Sequence, residues 1–315
     1  MQLDLPLDRG SLDSLGQYRA DFTLAQIPEL SDVQPRVIVV TGDGRLGTHG
    51  QQLWCAPPGW LTDECYLLGR DEGGEVWLAQ PVGTNVEMPP EVAFRSVTEL
   101  ASDLDGDQTL MAAQAGALAR WHHTERFCGR CGGKLRPIEA GWAARCQECA
   151  TVAYPRTDPA VIVLILDRDG RALLAHNAAW ETGRYSLVAG FVEAGESPRR
   201  AVKREVEEEV GLLVDQVEYL GAQPWPGPHS LMIAFQAVVV GEAQRPRPDG
   251  EEIDDAQFFS RNEYWEALAS GKMKPPNRNA ISTAVLSAWL GKELPYPQEG
   301  AARSHVSDPN ATIVA

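Results

Sequence analysis

The sequence predicts an α+β protein of more than one domain, and three observations carry that prediction. Its 315 residues exceed the roughly 100–200 residues of a single domain. The first 125 residues alternate short apolar runs with Gly and Pro and close on one helical pattern. The second half alternates longer apolar strand runs with helical patterns, which calls for sheet and helix packed together.

Composition narrows the function classes. With 43% hydrophobic and 23% charged residues, the chain has ordinary globular character, which excludes global disorder. The longest near-continuous apolar run, Ala160 to Leu166, is far too short to span a bilayer. Met1-Gln2-Leu3-Asp4 lacks a basic segment followed by an apolar one, so no signal peptide is expected and the expected compartment is cytoplasmic. The formal net charge is −16, from 28 Lys+Arg against 44 Asp+Glu. That excess disfavours non-specific attraction to nucleic acid or anionic membranes. It also means that phosphate chemistry on this chain would need cations from outside.

Residues 1–125 form the expected N-terminal α+β domain. Val37–Val40, Trp54–Ala56, Tyr66–Leu68 and Glu75–Ala79 read as short strands between turns. Thr109–Trp121 reads as a helix. No chemical motif stands out in this stretch.

The next segment, 126–156, carries four of the six cysteines. Cys128, Cys131, Cys146 and Cys149 form C-x2-C-x14-C-x2-C. In a reducing compartment, paired C-x2-C units point to metal, not disulfides. Two tight turns, each presenting two thiolates to one point, suit tetrahedral zinc. Gly129, Gly132 and Gly133 suit such turns because glycine tolerates positive φ. One structural Zn²⁺ per chain is expected, with no open coordination position for catalysis. Cys55 and Cys65 stand apart and read as idle thiols.

Residues 157–294 form the third expected domain, before a tail, 295–315, expected to be disordered. Ala160–Leu166 is a buried strand closed by the Asp167–Gly170 turn, with Arg171–His176 as its hairpin partner. Tyr185–Ala189, Leu231–Val240 and Gln257–Phe259 read as further strands. Pro198–Val210, Glu263–Ser270 and Ala280–Leu290 read as helices. Ser197 can cap the first of these, with Pro198 at its first position. Val202, Val206 and Val210 give that helix an apolar stripe, while Glu205 and Glu209, four residues apart, share another face and Glu208 joins them. Carboxylates so concentrated beside a Gly-rich turn call for cations, and oxygen-only ligands favour Mg²⁺ or Mn²⁺. The plain alternative is a solvated acidic face.

The full spacing decides against that alternative. Gly190, five residues, Glu196, seven residues, then Arg204-Glu205-Val206-x-Glu208-Glu209-x-Gly211-Leu212 resembles the Nudix box, G-x5-E-x7-R-E-U-x-E-E-x-G-U, at every specified position. The resemblance implies hydrolysis of a nucleoside diphosphate linked to another moiety. It implies an α/β/α sandwich around a mixed sheet. It also implies a divalent metal on Glu205 and Glu209, with Glu208 as a further ligand or the base. A carboxylate of the cluster, Glu209 or Glu208, would accept the proton of the attacking water, and Arg204 would orient the carboxylates by an ion pair.

The segment after the box resembles a narrower group. Gln223-Pro224-Trp225-Pro226-Gly227-Pro228-His229-Ser230, by itself a rigid loop with a buried Trp, resembles the S-Q-P-W-P-F-P-x-S array of NADH pyrophosphatases. The four-cysteine ribbon, Tyr154-Pro155-Arg156, the box and this loop recur in that order over about residues 90–290 in that subfamily. The resemblance implies that Gln223 to Ser230 line the dinucleotide. It implies that Tyr154 and Phe191 sandwich the nicotinamide, one from each subunit of a homodimer with a composite active site. The Ala189 carbonyl and Glu252 would join the metal, with neighbouring Glu251 leaving that register open, and Ser282 would line the pocket. Three positions depart from the pattern: Ala222 and Gly227 replace the loop's Ser and Phe, and Gly141 stands where many members carry a Glu.

The resemblance thus implies a metal-dependent NAD(H) diphosphatase that releases AMP and nicotinamide mononucleotide, with extension to NAD caps on RNA 5′ ends. Arg199, Arg200 and Lys203 could meet RNA or be ordinary solvated residues, and the net charge favours a small dinucleotide. Two rivals stay open. One is a Nudix hydrolase of ADP-ribose or a diadenosine polyphosphate. The other is a non-catalytic zinc-ribbon binding module.

Overall fold

The computed structural model describes residues 3–296, apart from Ser31, Thr84, Pro228 and 242–244. The tail expected to be disordered lies outside the described residues from position 297 onward. Chain contacts divide the molecule into two compact units. One comprises Pro6–Thr157 with Pro224–His229. The other comprises Met1–Leu5, Asp158–Gln223 and Ser230–Ala315, within their described residues.

In the first unit, a short helix α1 (Ile27–Leu30) precedes a sheet of β1 (Arg36–Thr41), β2 (Leu46–His49), β3 (Gln52–Leu53), β4 (Tyr66–Arg70), β5 (Val76–Val82) and β6 (Ala93–Arg95). Its order is β3-β2-β1-β5-β4, with β6 also on β2. The β1–β5 pair is parallel, the others antiparallel. Helices α2 (Val97–Leu100) and α3 (Gly106–Thr124) follow. Met111, Ala112, Ala115, Leu118 and Ala119 of α3 share one core with Ile38, Val40, Leu46, Leu68 and Ala79 of the sheet. The strand expected at Trp54–Ala56 is not formed. Cys55 makes a single bridge to Ile38, because Pro57 and Pro58 follow and offer no N–H to extend a ladder.

The ribbon belongs to this same unit. Its strands β7 (Leu135–Ile138), β8 (Ala143–Cys146) and β9 (Val152–Ala153) form a small antiparallel sheet. The Trp142 indole N–H donates to the Leu67 carbonyl at 2.7 Å, and the Arg19 guanidinium lies 3.6 Å from the Trp142 ring centroid. Gly141 takes φ +90°, and a Cβ there would run into the Tyr66 ring. The absence of a side chain at 141 is thus what lets the ribbon seat on β4.

The second unit is built on β10 (Asp158–Leu166), β11 (Ala172–Asn177), β12 (Val188–Phe191), β13 (Val214–Trp225), β14 (Ser230–Val239) and β15 (Ile253–Phe259). Its order is β13-β14-β10-β11-β15, with β12 also on β10. Nine residue pairs join β10 to β14 in parallel, while β11, β12 and β15 run antiparallel to their neighbours. A strand paired on both edges explains the unbroken apolar run Ala160–Ile165, all of it buried. Helices α4 (Pro198–Val210), α5 (Arg261–Ala269) and α6 (Ile281–Leu290) complete the mixed architecture. Half-buried Leu3 and Leu5 cover Gly221 of β13, where a Cβ would come within 3.1 Å of Leu5 Cδ1.

Two expectations are corrected here. Tyr185–Ala189 is not one strand: Ser186 makes an isolated bridge to Ala175, and the strand starts at Val188. Gln223–Ser230 is not a single loop, because Gln223 to Trp225 still belong to β13 and Ser230 already opens β14.

Candidate active site

Helix α4 sets the geometry. Ser197 Oγ accepts the Arg200 N–H at 3.3 Å, Pro198 fills the first turn, and Gly211 ends the helix at φ 63°. Val202, Val206 and Val210 are fully buried and pack with the strand residues Val161, Val163 and Val188. Glu205 and Glu209 flank that stripe and are themselves only 6% and 5% exposed. They are therefore not a solvated acidic face. Glu208 is the member of the trio that reaches water.

Gly190, on β12 opposite Val161, makes room for one of these carboxylates. A Cβ at 190 would fall on the Glu205 carboxyl. Ala189, the residue before it, lies opposite Ile162.

Arg204 ties the turn to the helix. Its Nε–H donates to Glu196 Oε1 at 3.1 Å and Nη2 to Glu196 Oε2 at 2.8 Å. Nη1 donates to Glu205 Oε1 at 2.7 Å and Glu208 Oε2 at 3.0 Å. Nη2 also reaches the Phe191 carbonyl at 2.8 Å. Such a fork fixes three carboxylates and a backbone oxygen at once. It holds the Glu196 carboxyl below its usual range by hydrogen bonding. Burial raises Glu205 despite Arg204.

Glu209 has no such partner. Burial first, then the charges of Glu252, Glu205, Asp249 and Glu208, push it up to about 9. Its Oε1 is buried without a hydrogen-bond partner. Glu252 is raised by burial and by Asp249 and Glu205. An uncompensated carboxyl oxygen amid like charges fits a hard divalent cation, because bound charge would reverse each of those shifts. The donors are all oxygen, which suits Mg²⁺ or Mn²⁺. The glutamate oxygens do not converge as tightly as the ribbon sulfurs: among the described residues, Cys128, Cys131, Cys146 and Cys149 are the group of three or more ligand atoms within 4.8 Å of one another.

In the ribbon, Cys128 N–H donates to Gly133 O at 2.8 Å and Cys146 N–H to Thr151 O at 2.9 Å, closing two matching turns. Gly132 takes φ +75°, and Ala150 holds φ +57° in the second turn. The four sulfurs have the number and closeness of a closed zinc site. Cys65, by contrast, is pushed up to about 11 by burial, and Cys55 is also raised by burial, as suits inert thiols.

The remaining expected residues divide between the units. Gln223 is fully buried in the second unit, and its amide donates to the Asn279 carbonyl at 3.0 Å. Ser282, at the start of α6, is buried just beyond Asn279. Phe191 is half-buried, paired with Ala160, and Ser230 is buried at the start of β14. Tyr154 is 63% exposed in the first unit. Trp225 packs partly buried on the core formed by the first sheet and α3, with Pro224, buried Pro226, Gly227 and His229 around it in chain order. A side chain at Gly227 would meet open space. Pro228 lies outside the described residues.

Three residues near the carboxylates carried no assigned role in the sequence. Glu196 was visible as a box position, but its grip on Arg204 was not. Asp249 and Asn177 sit at a turn and a strand end, and a polar residue there has many other uses. The Asp249-Gly250 dipeptide, a turn signal, was the available clue.

A buried glutamate with an unpartnered oxygen, set on a capped helix behind a glycine turn, is suited to hold a divalent cation of the kind a metal-dependent hydrolase uses. Comparison with known proteins agrees with that class. Residues 156–283 match the NUDIX domain, and residues 123–154 match the NADH pyrophosphatase zinc ribbon domain. NAD-capped RNA hydrolase NudC of Mycobacterium bovis (strain BCG / Pasteur 1173P2) is 37% identical over 275 residues, 83% of this chain and 85% of that protein. The protein of the same name from Pseudomonas aeruginosa (strain LESB58) is 38% identical over 208 residues, 65% of this chain and 74% of that one. A solved NUDIX hydrolase from Nitrosomonas europaea is 22% identical and covers 53% of this chain and 94% of that chain, with a TM-score of 0.41. The chain belongs to the NUDIX hydrolases, in the branch that joins the NADH pyrophosphatase zinc ribbon to the NUDIX domain.

Proposed function

We propose that this chain hydrolyses the pyrophosphate of NADH and NAD⁺, releasing AMP and nicotinamide mononucleotide, and that it also acts on NAD caps at RNA 5′ ends. The observation that carries this is the match, across ribbon and NUDIX domain alike, to relatives named NAD-capped RNA hydrolase.

Glu205, Glu209 and Glu252, with the Ala189 carbonyl, would hold the divalent ion. When bound, such an ion offsets the charge of the pyrophosphate oxygens and lowers the pKa of water. Arg204 holds Glu205 and Glu208 in fixed orientations. Glu208, exposed and held by Arg204, would accept a proton from water arriving from solvent. Glu209, whose Oε1 has no protein partner, serves as a ligand instead. Tyr154 and Phe191 would stack the flat nicotinamide, one from each subunit of a homodimer, and Gln223 to Ser230 with Ser282 would line the rest. Paired reduced cysteines suit a cytoplasmic site of action, and no helix among the described residues is long and apolar enough to cross a membrane.

The test is product analysis with Mg²⁺ or Mn²⁺ on NADH, NAD⁺, NAD-capped RNA, ADP-ribose and a diadenosine polyphosphate. AMP and nicotinamide mononucleotide from the first two are expected. ADP-ribose turning over far faster than NADH would overturn the substrate assignment. For the composite site, Tyr154→Ala and Phe191→Ala proteins, each weakly active alone, should regain activity when mixed. Purely additive activity would refute the shared site.

A further inference from the structure

Two polar residues outside the box converge on Glu252. Asp249 Oδ1 accepts three successive backbone N–H groups, from Glu251 at 3.0 Å, Glu252 at 3.1 Å and Ile253 at 2.9 Å. The backbone N–H of Asp249 donates to the Glu209 carbonyl at 3.1 Å, and Arg247 N–H donates to the Val210 carbonyl at 2.8 Å. The turn carrying Glu252 is therefore bonded to the end of α4 that carries Glu209.

Asn177 works from the other side. It ends β11, where the register with β15 shifts between His176 and Asn177, and such an irregularity re-aims a side chain. Its Oδ1 accepts the Ala179 N–H at 2.9 Å. That bond fixes the amide's orientation and turns Nδ2–H toward Glu252 Oε1, 3.3 Å away. The Ala178 N–H donates to the Glu252 carbonyl at 2.8 Å. Backbone and carboxyl of Glu252 are thus held from the same short segment.

We propose that Asp249 and Asn177 are positioning residues that present the Glu252 carboxylate to the cation held by Glu205 and Glu209. This rests on the role given to Glu252 above. The chemistry suits the task. A neutral amide orients one carboxyl oxygen without cancelling its charge, whereas Lys or Arg in that place would compete with the cation. Asp249 spends its carboxylate on backbone N–H groups, so it shapes the turn instead of filling the site.

The test is a titration of the zinc-loaded, full-length chain with Mn²⁺, reading free Mn²⁺ by electron paramagnetic resonance, beside kcat and KM for NADH. Supports of metal ligands change affinity by about 10–100-fold. Asn177→Ala and Asp249→Ala should each weaken Mn²⁺ binding within that range. They should lower kcat at limiting Mn²⁺, recover at saturating Mn²⁺, and leave KM for NADH near its original value. Asp249→Asn, which keeps the acceptor oxygen, should restore most of the affinity. Asn177→Ser, too short to reach Glu252, should behave as Asn177→Ala and replaces it should that protein fail to fold. Melting without added Mn²⁺ separates a folding defect from a loss of cation affinity. If Glu252→Gln weakens Mn²⁺ binding while the Asn177 and Asp249 variants bind as the original does, the proposal falls and the role of Glu252 stands. If Glu252→Gln binds Mn²⁺ undiminished, the role of Glu252 falls and this proposal with it.

Discussion

Adding one methyl group at Gly190 tests the site at its tightest point. The Cβ of an alanine would lie within 2.5 Å of every heavy atom of the Glu205 carboxyl, where about 3.5–4.0 Å is comfortable between carbon atoms. Glu205 would have to retreat by roughly 1 Å or more. It is 6% exposed and bonded to Arg204 at 2.7 Å, so the retreat breaks that bond or moves β12 away from α4. A displacement of that size in a reacting assembly costs on the order of 10²-fold in rate. The overpacking itself costs about 1–3 kcal/mol, which lowers Tm by about 2–10 °C for a domain of this size. The assay is chromatographic release of AMP from NADH at saturating Mn²⁺, with a melting curve on the same protein. Glu205→Asp in the Gly190→Ala background shortens the carboxylate by one methylene and should regain part of the lost rate. A Gly190→Ala protein with the original kcat would refute the account of how Glu205 is seated.

Three further outcomes are expected. Glu209, pushed up to about 9 by burial and like charges, binds its proton more tightly folded than unfolded. Its contribution to stability is therefore fully present below about pH 4 and is lost as pH rises toward 9. Melting without divalent metal should show that fall, Glu209→Gln should flatten it, and added Mg²⁺ should stabilise more at high pH than at low; a Glu209→Gln profile parallel to the original would contradict this. Arg204→Lys removes the two-pronged contact with Glu196 and should lower kcat by about 10–100-fold with little change in KM for NADH, and an unchanged kcat would show that the fork is dispensable. Cys128→Ser should release zinc to a colorimetric chelator and cost several kcal/mol of stability, since a closed zinc site contributes on the order of 10 kcal/mol of binding free energy to folding; melting like the original would contradict the structural role.

Helix α4 was legible, from about Pro198 to Val210, because cap, proline, stripe and terminal glycine all agree locally. The ribbon was legible because four cysteines at fixed spacing leave few other meanings. Strand β13 was not, for a physical reason. Its burial repeats roughly every third residue instead of every second, and Gln216 sits at φ +51°, so the alternation that marks a strand is broken. Trp54–Ala56 misled in the opposite direction, since apolar residues there meet prolines that cannot continue a ladder. The α4 carboxylates were recognised as a cluster, but spacing alone could not say that Glu205 and Glu209 are buried and Glu208 is not. That difference depends on Gly190 and β12, distant in sequence. The grips of Asp249 and Asn177 are also tertiary: each is one polar side chain whose meaning appears only once β11 and β15 are paired.

The seating of Leu3 and Leu5 over Gly221 has a consequence for how the chain is made. These residues precede Pro6–Thr157 in the chain, yet the strand they cover is synthesised after that stretch. At roughly 5–20 residues per second, Leu5 waits on the order of 10–40 s for Gly221 to emerge. The ribbon, which lies within Pro6–Thr157, can complete its zinc site in that interval. Closing the second unit then requires Leu3 and Leu5 as well as β14, which pairs along the length of β10. A bulky fusion placed directly ahead of Leu3 should therefore slow completion of the catalytic unit while leaving zinc uptake by the ribbon untouched.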